Sequence, residues 1–181
     1  YKLTGIKLRI ENEDEIDLID LKKLSTAYKE KYSSANLLLN ILSGFYPYKE
    51  QVNAIKALGI KPETKMRLYL IYVPTKVDDN ITKIITSLYP GKSSEYLCIT
   101  DSTHICFLYL GEDNIAHPLI DVIATEGMTG AYIAYSDIFT DLSLLTKEYS
   151  ELSQALTISR IFYSDKKIIG PGDLGSGELI Y

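Results

Sequence analysis

No apolar run in this 181-residue chain approaches the roughly 18 residues that cross a bilayer, and no cleavable leader opens it. Both absences set the expectation of a cytoplasmic protein with no membrane role. Cysteine is scarce. Cys98 and Cys106 are its only two, and their apolar neighbours fit buried free thiols better than a disulfide or a metal pair. Basic charge is not in excess either: 19 Lys and Arg stand against 24 Asp and Glu, a formal net charge of -5. A nucleic-acid surface needs clustered cations, so this piece is read as an acidic domain that does not itself bind DNA. Two histidines, His104 and His117, are too few to assemble a Ser-His-Asp triad with any specificity. An initiator Met is also lacking at Tyr1. Both ends are therefore expected to be cut points within a longer protein.

What is present is a succession of helical and strand patterns. Residues 6–10 alternate apolar and charged, like one strand of a sheet whose partners are elsewhere. An acidic hinge over 11–15 leads to a helix predicted for 17–43, ended by Gly44 and Pro47. Its apolar positions Leu21, Leu24, Tyr28, Ala35, Leu38 and Leu42 fill most a and d sites of a heptad, with Lys31 interrupting. Such a helix would be roughly 40 Å long. Two readings of it compete: a helix lying on its own domain, or a connector that pairs with its twin in a homodimer.

A short helix over 49–58 closes at Gly59. Residues 68–73 are apolar on both faces, as a central strand requires, and Pro74 ends them. A helix with Ile81, Ile84, Ile85 and Leu88 inward follows, with Asp78 and Asp79 at its N-cap and first turn. Residues 96–99 and 105–110 make a hairpin through Asp101, Ser102, Thr103 and His104. Helix 113–126, strand 132–135, a long helix from a cap at Thr140 and Asp141 through Phe162, and a short strand over 167–169 complete the order. In the long helix Leu144, Leu145, Tyr149, Leu152, Ala155, Leu156, Ser159 and Phe162 form one apolar stripe. Gly170 to Gly177 then stops regular structure and reads as a linker rather than a phosphate loop. The order β-α-β-β-α-β-α-β predicts an α/β fold, a ferredoxin-like split antiparallel sheet with helices on one face.

That order, with a hairpin at its centre and a long helix and short strand at its end, resembles the GGDEF domain of diguanylate cyclases. On the same hairpin this chain carries Asp101, Ser102, Thr103, His104 and Ile105, without the turn glycines and the central acid. Tyr72, Val73, Pro74 and Thr75 supply no acid where the cyclases place a metal-binding Asp. A second resemblance accounts for the degeneracy. Leu42-Ser43-Gly44, Ala57-Leu58-Gly59-Ile60, the helix segment Tyr149 to Leu156 and Gly172-Asp173-Leu174-Gly175 are similar to the central region of transcription regulators of the purine-catabolism and sugar-diacid (PucR/CdaR) type. Leu152 departs from the Ala that such regulators carry at that position.

The resemblance, over about 33–177, implies a degenerate GGDEF-like domain at 45–174 behind a connector helix at 17–44. Residues 1–16 would close a truncated GAF- or PAS-like sensor, and 175–181 would lead to a helix-turn-helix domain. It implies a non-catalytic regulatory and dimerisation module, relaying a sensor signal to that DNA-binding domain. A small-molecule effector would bind the upstream domain. No cofactor, metal or catalytic residue is expected. The alternative is a nucleotide-binding or cyclase-like enzyme domain with a remnant active site. His104 and Cys106 share a strand face opposite Cys98 and could in principle hold a metal, but small core residues beside a turn histidine fit the apolar context better.

Overall fold

The pattern Leu68, Leu70 against Tyr69, Ile71 gives strand β1 (Arg67–Tyr72) two apolar faces, and a strand so built must be covered on both. The computed structural model describes residues 33–173. Within them β1 is the middle of a five-stranded sheet ordered β2-β3-β1-β4-β5, with β2 (Leu97–Asp101), β3 (His104–Tyr109), β4 (Tyr132–Tyr135) and β5 (Ile168–Ile169). The pairs β2/β3, β3/β1 and β1/β4 are antiparallel, whereas β4/β5 is parallel. The fold is thus mixed α/β with a mixed sheet, not the wholly antiparallel one expected.

Among the described residues five α-helices cover it: α1 (Ser34–Leu42), α2 (Tyr48–Ala57), α3 (Asp79–Leu88), α4 (Ala116–Thr125) and α5 (Leu145–Phe162). The expectation of helices on one face is corrected, because each face has its own core. Leu68, Leu70, Cys106, Leu108, Ala134 and Ile169 meet Leu38, Ile41, Leu42, Leu152 and Leu156 of α1 and α5. Tyr69, Ile71, Ile105, Phe107 and Ile133 meet Ile81, Ile85, Leu119 and Ile123 of α3 and α4. Leu88, expected inward on α3, is 40% exposed, and Phe162 at the end of α5 is 56% exposed.

The helix expected over 17–43 begins, within the described residues, at Ser34. Ser33 is extended, and its hydroxyl accepts the Asn36 amide as an N-cap. Gly44, at φ +67°, ends α1 in the left-handed conformation that glycine accepts without strain. Leu37, Leu38, Ile41 and Leu42 are buried in the sheet's own core. A fully buried Leu contributes about 1.5–3 kcal/mol, so α1 is an integral part of the packed unit. Thr146 of α5 fixes the other end, donating its hydroxyl to the Ile41 carbonyl at 2.8 Å. The strand at 6–10, the hinge at 11–15, Leu21, Leu24, Tyr28 and Lys31, and everything from Leu174 on lie outside the described residues.

Candidate functional site

The β2-β3 tip is where the resemblance locates chemistry, and its geometry follows from the short polar side chains there. Asp101 Oδ1 accepts the Thr103 amide at 2.8 Å, the Thr103 hydroxyl at 3.1 Å and pairs with His104 Nδ1 at 2.8 Å. This is an Asx-type closure, in which a carboxylate does the work that glycine does in tighter turns. Burial alone would raise the Asp101 carboxyl, but the Thr103 and His104 hydrogen bonds outweigh it and hold the group below its ordinary value. The tip is also tied to the segment after β1. Val73 donates its amide to the Thr103 carbonyl and Val77 to the Ser102 carbonyl, each at 2.8 Å. Ile105, the last residue of the degenerate motif, is fully buried against α3 and α4.

Next to the tip, sheet register aligns a row of rings. Tyr72 is opposite His104 on one side and Tyr132 on the other. The His104 and Tyr132 rings lie 5.3 Å and 6.1 Å from that of Tyr72. Two cations cap the row. The Arg160 guanidinium of α5 is 3.5 Å above the Tyr72 ring, and Lys167 Nζ is 3.9 Å from the Tyr132 ring centroid and 2.7 Å from its hydroxyl. Tyr132 is held in turn by donating that hydroxyl to the Ser164 carbonyl at 2.8 Å. Sequence reasoning missed this cluster. Tyr72 and Tyr132 were legible as strand ends, but only the β1/β4 pairing reveals that they are neighbours.

The other expected sites resolve as structural roles. Asp78 accepts the Ile81 amide at 3.0 Å as the N-cap of α3, as its position predicted. Cys98 and Cys106 face each other across β2 and β3 as buried free thiols. Burial and the Cys98 thiol beside it push the Cys106 thiol well up, which keeps it protonated. Among the described residues, no group of three His, Cys, Asp or Glu side chains could hold a metal ion. His117 is exposed at the start of α4. Of the dimer-helix candidates, Leu38 and Leu42 are buried in this chain's own core and Ala35 packs partly against it, so their cover is internal. No helix among the described residues is long and apolar enough to cross a membrane. Comparison of the chain with protein-family models, with curated proteins and with solved structures returned no match.

Proposed function

We propose that this chain is a non-catalytic relay module of the PucR/CdaR kind, with a GGDEF-like sheet whose nucleotide chemistry has been replaced by structure. The observation that carries the reading is the hairpin tip. The Asp101 carboxylate is spent on Thr103 and His104, and the Ser102 and Thr103 carbonyls are spent on Val77 and Val73. The acid nearest the end of β1, Asp78, is committed to capping α3. The topological part of the reading is supported by strand order. Hairpin strand β3 flanks β1 on one side and β4 on the other, as a split β-α-β-β-α-β unit requires, with β5 added at the edge.

The relay itself is supported by α1. It directly follows residues 1–32, and it is anchored both in the sheet core and on Thr146 of α5. A rigid element of this sort passes a displacement at its upstream end to the sheet rather than absorbing it. On this reading the upstream segment, with Leu21, Leu24 and Tyr28, pairs with its twin in a homodimer, and DNA is bound by another part of the parent protein.

The test is turnover and binding. GTP with Mg²⁺ or Mn²⁺ should yield no cyclic di-GMP, and calorimetry should show no guanine-dependent affinity, GTP and cyclic di-GMP binding no more tightly than orthophosphate. Product above a no-protein control, lost in Asp78→Ala or Asp79→Ala, would establish the alternative of an active remnant site.

A further inference from the structure

We propose that Arg160 and Lys167, mounted on the Tyr72 and Tyr132 rings beside His104, form a binding site for a small phosphate-bearing anion, beyond the relay role. The first observation is what these cations lack. Arg67 donates to the Glu112 and Ser136 carbonyls, and Lys65, Lys147 and Lys166 pair with Glu112, Glu151 and Asp173. Arg160 makes no hydrogen bond or ion pair to the described residues, as is also true of the exposed Lys49, Lys56, Lys61, Lys76 and Lys83, and Lys167 has only the Tyr132 hydroxyl; what sets these two apart is that each sits on one of two neighbouring rings. In an acidic chain with carboxylates to spare, two neighbouring rings each carry a cation left without one.

The second observation is preorganisation. A guanidinium stacked flat on a ring keeps its in-plane N–H fork free for two oxygens of one oxyanion. The Arg160 guanidinium carbon lies 3.5 Å from the Tyr72 ring centroid, while the Ser164 carbonyl fixes Tyr132 and so the seat of Lys167. His104 spends Nδ1 on Asp101 and Thr103, and its Nε2 makes no hydrogen bond to the described residues. Arg160 of α5, Lys167 in the turn before β5 and His104 of β3 are thus all mounted on or beside the Tyr72 and Tyr132 ring pair. Three donor groups on three elements suit a multiply charged tetrahedral anion better than a single carboxylate.

A cation already covers one face of each of the two rings, which leaves a base less to stack on there. The site reads the phosphate and not a nucleobase. Two cations in a chain of net charge -5 do not make the extended basic surface that a nucleic-acid backbone needs.

The test is a heteronuclear NMR titration of the full chain at low ionic strength with orthophosphate, and separately with guanosine monophosphate. Saturable shifts are expected at the Arg160 Nε–H, the His104 ring and the Lys167 amide, with similar affinity for both probes. Arg160→Gln and Lys167→Gln should each weaken binding by at least ~10-fold, whereas Lys83→Gln, on the opposite face of the sheet, should not. Lys167 is exposed, so its variant stays informative even if Arg160→Gln perturbs α5. Shifts that fail to saturate, or an equal loss in Lys83→Gln, would overturn the site. Tight binding of guanosine monophosphate alone would overturn the choice of ligand.

Discussion

At the scale of single residues, one carboxylate, that of Asp101, closes the hairpin tip. Asp101→Ala removes an acceptor used by Thr103 and His104, and should cost about 1 kcal/mol, the worth of partly solvated charge-assisted bonds. The sign of its pH dependence is fixed. The folded carboxyl is held below its unfolded value, so its contribution is present above the unfolded pKa of about 3.9 and lost as pH falls through the lower folded value. Urea unfolding of the parent and Asp101→Asn should therefore differ more at neutral pH than at an acidic pH below the unfolded value. Equal differences at both pH values would show that the turn does not depend on the ionised carboxylate. Cys98 and Cys106 supply an independent check. Both are buried, so they should resist a thiol reagent in the native state and both react once urea is added.

At the scale of elements, the informative piece is α1, and it separates what the sequence could show from what it could not. Heptad spacing correctly marked Leu38 and Leu42 as needing cover, because apolar periodicity is a local property. It could not name the cover, since a twin helix and a sheet face present the same apolar surface to Leu. The structure places both side chains in the sheet core, so Leu38→Ala should cost about 2–5 kcal/mol by thermal or urea unfolding. A loss under 1 kcal/mol would mean α1 is only loosely docked. The start of α1 was likewise hidden, because only the extended conformation at Ser33 identifies it as an N-cap. Strand identities, the hairpin and the α3 cap were legible because alternation and Asx chemistry are short-range. The second helical layer was not, although the two-faced apolar pattern of β1 contained the reason for it. The row His104, Tyr72, Tyr132 was illegible for the same cause, because register across three strands is a tertiary fact.

At the scale of the whole molecule, the sheet divides two cores, with residues of all five strands facing one or the other. Ile71→Asp puts an unpaired charge into the α3/α4 core and should abolish the folded state, read as loss of the cooperative transition. A dimer through the upstream segment predicts concentration-dependent sedimentation that Leu24→Glu abolishes. A monomer at every concentration, unchanged by that substitution, would restrict the relay to one chain. In the relay proposed above, α1 transmits what happens upstream of Ser33 into the sheet. The most direct measurement is amide hydrogen exchange of the full chain, compared between the parent and the paired substitution Leu21→Glu/Leu24→Glu. The account predicts altered protection in α1, in the β2-β3 hairpin and at the start of α5 around Thr146. Changes confined to residues 17–32, with α1 and the hairpin unaltered, would contradict it.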